Sequence, residues 1–278
     1  GAIAPGGTDP MTEAARKPWA LVTGASDGIG VEFCRVLAPR GWNLVLVARR
    51  EQKLRELASS LRAEHGAASE VIPCDLAEPH AAQALHRKTK DLGIEVDLLV
   101  NNAGLLHNGF FDEIDLAKQQ AMLAVNVLAL TSLTHLYLND MLTRGRGRIL
   151  NVSSTAAWIG IPQQNVYAAS KAYVLSFTLA LADEVRARNR GVSVTAVCPS
   201  YTSTKMLDNP EQGGKLAIPK SQILPADLVA REGIEGCLRG DPIVIPGRAN
   251  RIGMAVIQRL PRLWVTRQFG KMYRKGMA

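Results

Sequence analysis

Tyr167 and Lys171 are the two side chains whose types and spacing point most directly to chemistry. They bound the run Tyr167-Ala168-Ala169-Ser170-Lys171 and open an apolar pattern, Val174, Leu175, Phe177, Leu179, Ala180 and Leu181, that ends at Arg186, Arg188 and Arg190. That pattern predicts a helix, and residues four apart on a helix share a face one turn on. A phenol and an ammonium therefore project side by side. A neighbouring cation favours phenolate, so the tyrosine pKa is expected to fall from about 10, and such a group can exchange a proton near neutral pH. The same spacing occurs on solvated helices that do no chemistry, so the pair gains meaning only from the residues around it.

Those residues lie on a regular alternation of elements. Ala20-Leu21-Val22 reads as a buried strand running into Thr23-Gly24-Ala25-Ser26-Asp27-Gly28-Ile29-Gly30 and a helical pattern to Arg40. Strand, glycine-rich turn and helix make a site for a dinucleotide pyrophosphate: the glycines allow close approach, and the helix start presents free N–H groups. The spacing is GxxxGxG, and a glycine-rich turn alone can also be only a tight turn. The second strand, Asn43–Ala48, is followed by Arg49 and Arg50. An acid at this point would bind the ribose of NAD; arginine suits the 2′-phosphate of NADP. The alternative is that both arginines merely begin the next helix, over 51–64. Asp75 and Leu76 follow a third strand, 69–74, as an adenine contact or as a turn or cap, and a helix is expected over 77–92. A fourth strand, 96–100, leads into Asn101-Asn102-Ala103-Gly104. A helix over 115–142 carries Asn126 in an apolar run, where its amide must find partners. Strands over 147–152 and 192–197 end in Ser153-Ser154 and in Pro199-Ser200-Tyr201-Thr202-Ser203-Thr204. Residues 209–225, with Gly213-Gly214, read as a lid near the substrate; a helix over 226–239 and a strand over 242–245 follow. The alternation predicts one α/β domain, a Rossmann-type doubly wound parallel sheet with ligands at the strands' C-terminal ends.

These residues resemble the short-chain dehydrogenase/reductase family from Trp19 to Ile245, through Thr23-Gly24 with Gly28 and Gly30, Asn101-Asn102-Ala103-Gly104, Asn126, Ser154, and Tyr167 with Lys171. The resemblance implies a seven-stranded sheet, NAD(P)-dependent interconversion of ketones and alcohols, and a homodimer or homotetramer. It picks Ser154, thirteen positions before the tyrosine, over Ser153. It assigns catalysis to Asn126, Ser154, Tyr167 and Lys171: Ser154 bonds the substrate oxygen, Tyr167 delivers the proton, Lys171 lowers the tyrosine pKa and binds the nicotinamide ribose, and Asn126 holds a water linking Lys171 to solvent. The expected cofactor-binding set is Gly24, Ser26, Asp27, Gly28, Ile29, Gly30, Arg49, Arg50, Asp75, Leu76, Asn102, Ala103, Gly104, Tyr167, Lys171, Pro199, Thr202 and Thr204. The cofactor expected is NADP(H) rather than NAD(H), with no metal. The family's usual Pro-Gly after the sixth strand is Pro199-Ser200 here, which leaves the loop shape near the nicotinamide open. A non-catalytic NADP-binding scaffold or sensor is the rival reading; it would be expected to have lost Ser154, Tyr167 or Lys171.

Composition sets the remaining bounds. The 278 residues are 47% hydrophobic and 21% charged, an ordinary globular balance. Cys34, Cys74, Cys198 and Cys237 are far apart, which suits a reducing compartment. No apolar run reaches the ~20 residues of a membrane span, and a cytoplasmic location is expected. Residues 1–10 are read as a cloning remnant before a native start at Met11, residues 11–246 as the Rossmann domain and 247–278 as an extension. That extension carries Arg248, Arg251, Arg259, Arg262, Arg267, Lys271, Arg274 and Lys275 and no acid, so it holds the whole net charge of +8. Pro261 divides it into two amphipathic helices. Such helices suit a membrane interface, a cover over the substrate cleft or a subunit contact, or attraction of an anionic acyl carrier; nucleic acid is not expected. The first two uses fit a hydrophobic substrate: long-chain acyl, sterol-like or isoprenoid.

Overall fold

Alternate residues of the central strands face opposite ways, and each set is covered by helices. In the computed structural model, which describes residues 16–208 and 222–276, seven strands form one parallel sheet. They are β1 (Trp19–Thr23), β2 (Asn43–Ala48), β3 (Ser69–Pro73), β4 (Val96–Asn101), β5 (Gly147–Val152), β6 (Val192–Val197) and β7 (Ile243–Val244), in the order β3-β2-β1-β4-β5-β6-β7. Gly1–Pro10, Met11 and positions 209–221 of the expected lid lie outside the described residues.

Ala20, Val22, Leu44, Leu46 and Val100 pack against α1 (Gly28–Leu37), α2 (Glu51–His65) and α7 (Ala226–Arg239) through Phe33, Leu54 and Ile234. Their neighbours Leu21, Val45, Val47 and Leu99 pack on the other face. There the cover is α3 (Ala81–Asp91), α5 (Leu130–Arg144) and α6 (Asn165–Arg188), through Leu85, Tyr137 and Val185. Burial on both faces is why these strands are continuous apolar runs. The strand order reverses between β1 and β4, and the crevice at that switch is where a doubly wound sheet takes its ligand.

Two helices differ from the sequence expectation. The predicted 77–92 helix begins only at Ala81. Pro79 biases Glu78 away from helical backbone; residues 75–78 close a turn, with the Glu78 N–H on the Asp75 carbonyl, and His80 is left-handed at φ 61° before the helix starts. The predicted 115–142 helix is interrupted: α4 (Leu116–Leu123) and α5 are joined by a π turn over Ala124–Ala129 that holds Asn126. Leu116–Arg144 as a whole is the one described stretch long and apolar enough to cross a membrane, but Met122, Leu133, Tyr137 and Met141 along it are core residues.

The extension forms α8 (Arg248–Ile257) and α9 (Arg262–Gly276). Val265 and Tyr273 of α9 are buried with Ala156, Ile159, Ile161 and Ala168, and Tyr167 and Phe269 pack against that cluster. α9 therefore lies against the start of α6, over the region holding Tyr167.

Candidate active site

The end of β5 and the start of α6 bring three predicted residues together. Ser153 and Ser154 follow β5, Ser154 in extended backbone, and their hydroxyls take different partners. Ser153 is buried and donates to the Lys171 carbonyl at 2.7 Å, tying α6 to the sheet. Ser154 caps a short 3-10 turn, Thr155–Trp158, accepting from the Ala156 N–H at 3.1 Å and donating to the Pro199 carbonyl at 3.3 Å. Lys171 is buried, donates from Nζ to the Val152 carbonyl at 2.9 Å, and lies 5.7 Å from the centre of the Tyr167 ring. Burial pulls its ammonium down to about 8.

The expected fall in the Tyr167 pKa is overturned. Tyr167 is half-buried, and desolvation disfavours the phenolate and pushes the pKa up; the Ser154 hydroxyl lowers it, and Tyr201 raises it again. Lys171 is not among the groups that move it. Burial in the folded chain, which the local spacing of Tyr167 and Lys171 does not show, sets the direction of the shift.

Asn126 is buried, and both protons and one lone pair of its amide are engaged. Oδ1 accepts from the Leu105 N–H at 2.8 Å, while Nδ2 donates to the Leu105 carbonyl and to Ser170 Oγ, each at 3.0 Å. Ser170 in turn donates to the Tyr167 carbonyl at 2.7 Å. Asn126 thus joins the loop after β4 to the Tyr167 helix, and both its amide protons are already committed. A Cβ on Gly104 would stand 3.4 Å from Asn126 Oδ1 and 3.5 Å from Lys171 Nζ, so Gly104 is the floor beside them.

The nucleotide residues gather at the β1–β4 switch. The Asp27 carboxylate caps α1, accepting from the Gly28 N–H at 2.9 Å. A Cβ on Gly30 would collide with the Gly24 carbonyl, and one on Gly24 would meet Asn102 Nδ2 at 2.8 Å; only glycine lets turn, helix and β4 end approach this closely. Asn102 donates to the Thr23 carbonyl at 2.9 Å, and Thr23 Oγ1 accepts from the N–H groups of Asn102 and Ala103, each at 3.0 Å. Gly28 faces Thr204. Arg50 donates to Ser26 Oγ at 3.0 Å and lies 3.2 Å from Asp27, with Lys53 and Lys205 at 3.8 and 3.7 Å from the same carboxylate. Burial alone would raise the Asp27 pKa; the Gly28 amide and these cations hold it below the usual carboxylate value. Three cations round one acid, in a glycine-lined crevice with no acid directly after β2, fit a phosphorylated dinucleotide.

Other expected contacts sit further back. Asp75 lies 3.7 Å from Arg49 and accepts from the Ala77 N–H at 3.0 Å, the turn role left open for it. Leu76 is buried among Leu21, Val45 and Leu85, and Ile29 packs on the core beside Phe33, so these two serve the core. Pro199 is buried, and its carbonyl also accepts from the Thr155 N–H at 2.9 Å. Thr202 is buried and donates to the Ser200 carbonyl at 2.9 Å. Ser200 is absent from the residues with left-handed backbone, so serine stands at the usual glycine position without that strain.

Sequence reasoning missed a polar wall on the far side of Tyr167. Tyr201 and Tyr273 bring their hydroxyls to 2.9 Å, Tyr273 donates to Gln164 Oε1 at 3.3 Å, and Gln164 Nε2 donates to Asn108 Oδ1. Tyr273 lies 72 residues from Tyr201, so nothing local could have found it. The signal for Ser170 was present, inside the Tyr167–Lys171 run. An apolar cleft of about 750 Å³ opens between the 3-10 turn, α6 and α9, lined by Trp158, Ile161, Ala168, Leu175 and Thr266; Ser154, Tyr167 and Lys171 are not in its walls.

A doubly wound sheet with this serine, tyrosine and lysine at its C-terminal edge defines a class, and the chain belongs to it: the family model described as short chain dehydrogenase matches residues 18–213. Among its relatives is a very-long-chain 3-oxoacyl-CoA reductase of Anas platyrhynchos, 36% identical over 68% of this chain and 61% of the relative. Another is a 7beta-hydroxysteroid dehydrogenase of Clostridium sardiniense, 31% identical over 92% and 95%. A solved short-chain dehydrogenase from Sphingobium yanoikuyae in complex with NADPH superposes with a TM-score of 0.77 at 28% identity, covering 88% of this chain and 97% of that one. The chain thus spans less than two thirds of the reductase and nearly all of the steroid enzyme.

Proposed function

We propose that the chain is an NADP(H)-dependent oxidoreductase that reduces a ketone, or oxidises the matching secondary alcohol, on a hydrophobic acyl-, sterol- or isoprenoid-like substrate. The observation that carries this reading is the grouping of Ser154, Tyr167 and Lys171 beside a glycine-lined crevice edged by Arg49 and Arg50.

Bound NADPH supplies the hydride. Ser154 donates a hydrogen bond to the carbonyl oxygen as negative charge grows there. Tyr167, neutral at physiological pH as a phenol titrating at or above about 10 must be, gives its proton to that oxygen. Lys171 keeps a positive charge beside the phenol and would hold the nicotinamide ribose, and Asn126 holds the Tyr167 helix in place through Ser170. A water relay from Lys171 would use the free lone pair of Asn126 Oδ1 or its backbone carbonyl. Arg49, Arg50 and Ser26 bind the 2′-phosphate. Ile159, Ile161, Val265 and Phe269 around Tyr167 favour an apolar substrate, which agrees with the names of the acyl and steroid relatives. Exposed Leu128 and Tyr173, with Phe177 stacked on Tyr173, support a homodimer or homotetramer. The location is cytoplasmic, with substrate delivered from an acyl carrier or a membrane surface.

The test is NADPH consumption against ketones of increasing chain length, with Tyr167→Phe beside the wild type. Turnover that rises with chain length and vanishes in the variant is expected. NADPH binding without turnover on any ketone would favour the scaffold or sensor reading.

A further inference from the structure

We propose that α8 and α9 dock the protein onto an anionic lipid bilayer through the faces they turn away from the sheet. The proposal does not rest on the reductase reading.

α9 has two distinct sides. Val265, Phe269 and Tyr273, at helical spacing, turn inward to the Tyr167 cluster. The opposite arc carries Leu263, Trp264, Arg267, Lys271 and Arg274, all exposed, with Leu263 at 73% and Trp264 at 52%. On α8, Met254 is buried, while Arg248, Ile252 and Val256, and Arg259 just beyond it, are exposed. Large apolar side chains are thus held in water between cations. Few of those cations are neutralised: among the described residues, Arg251 alone of the extension's cations is ion-paired, to Glu232 at 2.9 Å, while Arg259 donates to the Ala255 carbonyl and keeps its charge.

Charge selects the occupant. A two-fold contact sets a patch against itself, and this patch has cations and no acid, so two copies would repel. The partner must be anionic and must also take up Leu263, Trp264, Ile252 and Val256. Nucleic acid meets the first demand only. A bilayer interface meets both: lipid phosphates pair with Arg and Lys, and Trp and Leu enter the acyl boundary. Because the inner side of α9 covers the Tyr167 cluster, docking would set that region facing the lipid.

The test is co-sedimentation of the full chain with phosphatidylcholine vesicles, with and without phosphatidylglycerol. Quenching of Trp264 by brominated acyl chains is read in parallel, with Trp264→Phe as the control for the other three tryptophans. The wild type is expected to pellet with the anionic vesicles only, to be released by high salt, and to be quenched. Arg267→Glu with Lys271→Glu, both on exposed positions, should cut binding at least tenfold while leaving the circular dichroism spectrum unchanged. Leu263→Ser with Trp264→Ser gives an uncharged second route to the same loss. Wild type that stays in the supernatant with both vesicle types, or binding that survives both double variants, would overturn the proposal. So would binding to a DNA duplex in preference to vesicles, or a wild-type oligomer that the charge reversal dissociates, since either gives this face another occupant.

Discussion

The hydroxyl of Tyr273, on the last helix, lies 2.9 Å from that of Tyr201, in the loop after β6. Both phenols are pushed up by burial, and Tyr167 raises Tyr273 further. The two rings therefore enclose one side of Tyr167 as a neutral, hydrogen-bonded wall. Removing the Tyr273 hydroxyl takes the hydrogen bond from Tyr201, at about 1–3 kcal/mol of stability, whereas Tyr273 without Tyr201 keeps Gln164. Because the pair borders Tyr167, Tyr273→Phe and Tyr201→Phe are each expected to lower kcat/KM while NADPH affinity holds. Steady-state kinetics with a cofactor titration checks this; an equal loss of cofactor binding would place the pair elsewhere.

Tyr167 gives the two directions of reaction opposite pH dependences. Its raised pKa keeps the phenol protonated through neutral pH, which is the form a reduction needs. Oxidation of the alcohol needs the phenolate, so its rate should climb with pH into the alkaline range. Ketone reduction should hold until the phenol titrates above its ordinary value of about 10. pH profiles in both directions, at saturating cofactor, measure this.

Lys171 carries a stability signature. Its folded pKa of about 8 is below the ordinary 10.5, so between those values the unfolded chain binds more protons and stability rises with pH. The charged form is therefore a burden at neutral pH, of at most ~3 kcal/mol. Lys171→Met should abolish turnover while keeping or raising Tm at pH 7. That advantage should shrink as pH climbs from 8 to 10.5, because the wild type gains over this window. Thermal melts across pH decide it; an advantage independent of pH would remove the burial argument.

Arg50 bonds Ser26 and lies beside Asp27, where a 2′-phosphate would compete for it. Arg50→Ala should weaken NADPH by about ten- to a hundred-fold, the worth of roughly 1.5–3 kcal/mol for a charge-assisted bond, and change NADH little. Fluorescence titration of both cofactors tests this.

Much of this was legible in the chain itself. The strands 43–48, 147–152 and 192–197 are short apolar runs with clear ends, and the structure keeps all three. Tyr167 and Lys171 could be paired because helical spacing is local. What failed was not carried by apolar spacing. The start of α3 was misread because Pro79 and His80 act on backbone rather than on apolar period. The π turn at Asn126 leaves no mark in side-chain spacing. The direction of the Tyr167 shift depends on how far the folded chain desolvates the ring, and α9's place on the cleft is set by contacts such as Tyr273 to Gln164, 109 residues apart.

The π turn has a use as a tool. A turn of this kind holds one residue more than α geometry needs, and the helix on either side is pinned: Gln119 donates to the carbonyls of Phe111 and Ile114, and Tyr137 bonds Thr89. The surplus residue is slack. Deleting one position within 124–129 would straighten the helix while both anchors keep their register. Asn126 would then swing away from Leu105 and Ser170. Few single changes in this fold would separate so cleanly a chain that still folds from one that still holds its tyrosine helix in place.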